Sequence, residues 1–316
     1  MPETTPNTIP DVTAPSAYKK FGTTRGFHPK PFESLRWLIG AQGGWGKSTF
    51  LSSIPNMLHL DIEGGAHSVV NSEAIRIPDH SGGLSYDTLG AVLNQLILDG
   101  QAAKGNPSRL PFTAIGIDTI DAMYNMFGGH FCRKGNPAGQ ELDSVGEYGS
   151  DGAGYGIIYA RILTVLATLE SLGYALVIGY HERETTIKKK VHGKIETLTK
   201  VRPLLGESIS KQLENRSDVN AVLRPKVKMV VLPGKTVNIP GVDTKALPGE
   251  KTTTNVIVMQ VECSPVYSAK RRLHTFKGEF ELPLQHGWSY IKTIYDKAVV
   301  DMQKMLESGG PIPAGS

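Results

Sequence analysis

Residues 35–51 read L-R-W-L-I-G-A-Q-G-G-W-G-K-S-T-F-L. An apolar run from Leu35 to Ile39 gives way to small residues, and Gly46-Lys47-Ser48 opens a second apolar run. That order predicts a strand, a glycine-rich loop and a helix, the layout of a P-loop. Gly43, Gly44 and Gly46 free the backbone to turn amide N–H groups inward around a phosphate. The start of the following helix adds the positive end of its dipole. Lys47 is placed to reach the β- and γ-phosphates of ATP, and the Ser48 hydroxyl to hold Mg²⁺. The expected nucleotide contacts are Gly43, Gly44, Trp45, Gly46, Lys47, Ser48 and Thr49. The spacing G-x-x-x-x-G-K-[S/T] has its first glycine at position 41, where this chain carries Ala41, with Gly40 one residue earlier. Alanine fits there if its φ is negative and Gly40 absorbs the turn.

Composition bounds the rest. The chain has 316 residues, 40% hydrophobic and 20% charged, the balance of a globular protein long enough for one large α/β domain or two small ones. A formal net charge of +4 permits nucleic-acid binding without arguing for it. Its two cysteines, Cys132 and Cys263, lack CxxC spacing. That excludes a disulfide framework and a cysteine zinc site, and fits a reducing cytoplasm. No apolar stretch approaches the about 20 residues of a membrane span, and no signal-peptide pattern opens the chain.

Residues 1–31 are rich in Pro and Thr and poor in aliphatics, which predicts an extended or disordered arm; residues 308–316 predict a flexible tail. Residues 32–307 read as the domain. Strands are expected at 35–39, 57–62, 113–118 and 174–180. Helices are expected from Lys47 to about Ile54 and over 84–98, 157–172 and 290–306. This alternation predicts a mostly parallel sheet with helices on both faces. After Arg183 the polar stretch through Lys188-Lys189-Lys190 predicts an exposed loop or hairpin. Strands at 219–223, 227–232 and 255–262 extend the sheet, with a Pro/Gly/Lys loop over 233–251.

In open α/β sheets ligands sit at the carboxyl ends of strands. Three such ends carry polar residues. T-A-I-G-I-D-T-I-D (113–121) ends its apolar run at Asp118, the position of a Mg²⁺-orienting carboxylate, while Asp121 reads as a surface or helix-start residue. M-L-H-L-D-I-E-G-G (57–65) presents Glu63 as the group that polarises the attacking water, with Asp61 structural. A-L-V-I-G-Y-H-E-R-E (175–184) places His181 where a side chain can sense the γ-phosphate.

With these pieces in place, the chain resembles the RecA-like core of P-loop ATPases. It is similar above all to the phage nucleotide-binding ATPase family that includes RecA-like single-strand-annealing recombinases. The resemblance rests on residues 40–49, on Leu60-Asp61-Ile62-Glu63-Gly64-Gly65, on Ile117-Asp118-Thr119 and on Gly179-Tyr180-His181-Glu182. It extends more weakly to Arg271-Arg272-Leu273 and to F-E-L-P-L-Q-H-G-W (280–288). It implies ATP and Mg²⁺ as cofactors, Lys47, Glu63, Asp118 and His181 as catalytic, and Ser48 and Asp118 as metal-holding. It also implies head-to-tail assembly in which a neighbour's basic residue completes the site, the candidates being Lys270, Arg271, Arg272 and Lys277. Single-stranded DNA and a single-strand-binding protein are the implied partners. DNA-contacting loops are expected over 128–156, with Tyr148 and Tyr155, and over 185–205. Two other readings stay open: a remodelling or loading motor acting on a protein, and a non-catalytic nucleotide-gated scaffold.

Overall fold

The computed structural model describes residues 29–69, 72–78, 82–104, 106–149, 152–191, 194–231, 236–237, 245–246, 251–261, 270–271, 275–283 and 285–308. The expected arm and tail lie almost wholly outside this set.

Elements follow in chain order: β1 Trp37–Ala41, α1 Lys47–Ser52, β2 Met57–Asp61, β3 Ile75–Ile77, α2 Tyr86–Ala103, β4 Ala114–Asp118 and α3 Ile120–Lys134. Then come α4 Ala153–Ser171, β5 Ala175–Val191, β6 Lys194–Pro203, α5 Glu207–Arg216 and β7 Val219–Val231. The chain continues with β8 Thr236–Val237, β9 Lys245–Ala246, β10 Lys251–Gln260, β11 Lys270–Arg271, β12 Glu279–Leu282 and α6 Gly287–Glu307.

The main sheet has the order β12-β10-β7-β1-β5-β4-β2-β3, with β6 on β5 and β11 on β7. From β7 to β3 the neighbours are parallel, and β10 and β12 add antiparallel strands at one side. The expected mostly parallel α/β sheet is thus the fold. Strands β1, β2 and β4 are buried along their whole length because helices cover both faces. One face buries Leu38, Leu60, Ile117 and Ile178 against α2, α3 and α4. On the other, Trp37 meets Phe32 and Trp288 at ring-centroid distances of 5.4 and 5.5 Å, and α6 packs on α1.

Several expectations need correction. The strands at 219–223 and 227–232 are one strand, β7, running through Pro225. Among the described residues nothing pairs with its β1 side beyond Val222, where a proline is tolerated; Leu232 lies outside the described residues. The long glycine-rich loop expected at 128–156 is helical at both ends: Gly128 and Gly129 belong to α3, and Gly154 and Gly156 to α4. Tyr148 packs on Phe131 at 4.8 Å instead of standing free. Of the loop or hairpin expected after Arg183, the hairpin is what forms: β5 pairs with β6 from Glu182 opposite Pro203 to Val191 opposite Lys194. One apolar helix does reach span-like length: α4, 19 residues with mean hydropathy 1.2. Its Ile158, Ile162, Leu166 and Leu169 stripe lies in the core.

Gly40 does not absorb the loop turn. It sits inside β1 opposite Tyr180 and carries no positive φ; nor does Ala41. The turn falls on Gly44 and Gly46, with φ of 78° and 85°. Gly40 is needed for another reason: a Cβ there would lie 2.4 Å from the Tyr180 ring and 2.6 Å from Glu182 Oε1. Tyr180 is buried and cannot swing away. Gly40→Ala is therefore expected to cost about 1–3 kcal/mol, read as a lower midpoint in urea unfolding. An unchanged midpoint would show that the two strands have room to part.

Candidate nucleotide site

Register builds the site. Ala41 of β1 pairs with His181 of β5, and Asp61 of β2 with Asp118 of β4. The loop after β1, Glu63 after β2, Asp118 ending β4 and His181 along β5 therefore all lie at the carboxyl edge of the parallel strands. Gly46, in the left-handed region, caps α1, and its carbonyl accepts the Phe50 N–H at 2.9 Å. The helix is shorter than expected and ends at Ser52, with Ile54 held only by a turn.

Ser48 Oγ donates to Asp118 Oδ2 at 2.5 Å. His59, wholly buried in the middle of β2, meets the same oxygen through Nε2 at 3.3 Å and Ser52 Oγ through Nδ1 at 3.4 Å. Burial alone would push the Asp118 carboxyl up. The His59 and Ser48 hydrogen bonds and the Lys47 charge outweigh it and hold the group below its ordinary range. Lys47 is 6% exposed. Burial lowers its proton affinity against the pull of Asp118, Glu63, Asp121 and Glu182.

Glu63 Oε1 accepts from Thr119 Oγ1 at 3.0 Å. Burial raises the Glu63 proton affinity, with His181 and Thr119 opposing. Asp61 is structural, as expected: its carboxylate accepts the Gly65 and Ala66 N–H groups at 3.1 and 2.9 Å and so fixes the turn carrying Glu63. Asp121 is not a surface residue. It is buried and bonded to His181, and Glu63, Asp121 and His181 bring polar atoms within 4.8 Å of one another. Glu182, next on β5, has Oε2 buried without a hydrogen bond. Burial pushes this carboxyl up to about 7, opposed by Lys47 and Arg224.

Gly43, Gly44 and Thr49 are exposed and Trp45 half-buried along the loop. Beside Gly44 and Gly46 lies a cavity of about 180 Å³ lined by Thr49, Phe50, Ile257, Leu282 and Pro283. Of the basic candidates, Lys270 and Arg271 pair through their backbone with Asn220 and Val219. Those residues also flank Leu38 and Trp37, at the end of β1 remote from the loop. Arg272 lies outside the described residues, and Lys277 is exposed.

Sequence reasoning passed over His59, Thr119, Asp121 and Glu182. A signal existed for two. His59 is a polar residue inside an apolar strand, and Asp121 falls one helical turn after Asp118 behind the capping residue Thr119.

The fit to nucleotide is direct. Ser48 and Asp118 offer hard oxygen donors side by side, as a magnesium-type ion needs. The left-handed Gly44 and Gly46 shape the loop above Lys47. The fold and this edge together define a P-loop nucleotide-binding ATPase domain. The sequence profile of the AAA domain family matches residues 33–273, and the chain belongs to that family. No curated protein matches the chain significantly.

Proposed function

We propose that this protein hydrolyses ATP in a RecA-like manner and couples the turnover to single-stranded DNA, in phage recombination, annealing or repair. The observation that carries the hydrolytic part is the convergence of Lys47, the Ser48–Asp118 pair at 2.5 Å and Glu63 on one strand edge. Lys47 binds the terminal phosphates as a point charge. Ser48 and Asp118 would hold a Mg²⁺ ion, which when bound would supply positive charge against the phosphate oxygens. Glu63 orients a water and takes its proton as the water oxygen bonds to the γ-phosphorus. The bond to the β–γ bridging oxygen breaks, and ADP leaves with that electron pair. On this reading the adenine would enter the cavity beside Gly44 and Gly46 walled by Ile257, Leu282 and Pro283.

Support for the DNA part comes from β5. The strand that carries His181 runs on without a break into the hairpin with β6. That hairpin includes Lys188, Lys189, Lys190, Lys194, Lys200 and Arg202, a charge density suited to a phosphate backbone. A change at His181 on loss of the γ-phosphate has one continuous strand through which to reach the hairpin. In a head-to-tail assembly Lys270, Arg271, Arg272 or Lys277 completes a neighbour's site; the first two lie too far from their own loop to serve it. A single-strand-binding protein is the further partner of this reading.

The test is ATP turnover at low salt with and without single-stranded DNA. Stimulation together with DNA binding is expected. Turnover indifferent to DNA, with no DNA binding, would eliminate the recombination reading and leave a motor acting on a protein.

A further inference from the structure

One carboxylate grips His181 twice. Asp121 Oδ1 accepts the His181 backbone N–H at 2.9 Å, and Oδ2 meets Nδ1 at 2.8 Å. Asp121 sits in the first turn of α3, 5% exposed, two residues past the Thr119 cap. The same ring nitrogen is 3.4 Å from Glu63 Oε1. Nε2, across the ring, makes no hydrogen bond among the described residues.

We propose that Asp121 is a positioning residue for this site, fixing the His181 ring with Nδ1 as its donor and keeping the second proton on Nε2, so that a charged N–H faces the terminal phosphate. The inference rests on the ATPase reading and deepens it. A carboxylate acceptor at Nδ1 requires a proton there. In the neutral ring Nε2 would then present a lone pair toward phosphate oxygens, which repel it; in the imidazolium it presents a donor. The charged groups facing the ring are Asp121 from α3, Glu63 from the turn after β2 and Lys47 from α1. The Asp121 hydrogen bond is the largest influence and raises the ring's proton affinity, while burial and Lys47 oppose it. The backbone bond extends the effect: the carboxylate that orients the ring also ties β5 to α3, so ring and hairpin strand move together.

The sign follows. Charge on His181 is full below its raised proton affinity and lost as pH climbs through it, so kcat has an alkaline limb above the ordinary 6.5. Asp121→Asn removes the charge but keeps an acceptor. It is expected to move that limb down by about one to three pH units and to lower kcat at neutral pH with KM little changed. His181→Gln should abolish the limb, and adding Asp121→Asn to it should cost nothing more. An independent readout is the NMR titration of the His181 ring in the nucleotide-free protein, assigned by its loss in His181→Gln. Titration above 6.5, falling in Asp121→Asn, supports the proposal whether or not ATP is turned over. A wild-type ring that titrates at or below 6.5 overturns it without any Asp121 variant having to fold. So does an Asp121→Asn loss that persists in the His181→Gln background. Wild-type protein that binds ATP and never hydrolyses it would instead sink the ATPase reading, and the ring titration still decides the role of Asp121.

Discussion

Glu63→Gln is expected to leave ATP binding within a few-fold of wild type and to lower kcat on the order of 10²–10⁴-fold, the contribution of a positioned general base. The geometry predicts this split. Glu63 stands on the turn after β2, an element separate from the P-loop, and its Oε1 accepts from Thr119 at 3.0 Å. Glutamine preserves that acceptor and the side-chain volume, so the turn held by Asp61 should stay in place. It cannot take a proton from water. Burial has raised the proton affinity of Glu63, which makes it a stronger base than an exposed glutamate. An acid limb in the pH profile should therefore lie above the ordinary 4.5, because the carboxylate works only when ionised. The measurement is single-turnover hydrolysis beside calorimetric binding of ATP. Wild-type turnover in Glu63→Gln would place the base elsewhere and favour a nucleotide-gated scaffold or another water-activating group.

The parts of this architecture legible in sequence are those where chemistry repeats along the chain. Strands β1, β2 and β4 are buried on both faces, so each reads as a short, largely apolar run, the latter two ending in aspartate. The P-loop reads because its functional residues are contiguous. What stayed hidden depends on contacts between distant segments. Asp121 looks like any acid at a helix start until register puts His181 beside it, across a sequence gap of 60. His59 lies 59 residues from the Asp118 carboxylate it supports. Gly40 was read as a turn residue because it adjoins the loop; the cross-strand bulk of Tyr180 is what requires it. Two apolar runs, 219–223 and 227–232, flank Pro225, and only the pairing with β10 shows that one strand runs through it. The glycine-rich stretch 128–156 reads as loop, yet the bias of glycine against helix is weak and packing overrides it where Gly154 is buried in α4.

The second large effect is expected from Lys47→Ala. ATP binding should weaken by about 10- to 150-fold, the equivalent of one hydrogen bond to a charged group, and hydrolysis should fall on the order of 10²–10³-fold, as when one preorganised charge-stabilising donor is lost. The substitution should also change the nucleotide-free protein, which distinguishes Lys47 from an exposed ligand contact. Lys47 is buried among Asp118, Glu63, Asp121 and Glu182, and its charge draws the Asp118 and Glu182 carboxyls downward. Without it both should bind protons more readily. Asp118 has a lowered proton affinity in the fold, so it adds stability above its unfolded pKa of about 3.8 and loses it as pH falls; in the variant that contribution should be smaller. Burial pushes the Glu182 carboxyl up to about 7, so it lowers stability as pH rises from the ordinary 4.5 toward 7. In Lys47→Ala that penalty should deepen and extend to higher pH. Unfolding midpoints measured from pH 4 to pH 9 should thus show the variant losing most, relative to wild type, on the alkaline side of neutrality. Lys47→Met, which restores the aliphatic volume, should recover packing but not this pH dependence. A variant that still binds ATP tightly would move the phosphates away from Gly44–Ser48. One whose stability profile parallels wild type would show that the four carboxylates do not depend on this ammonium for their balance.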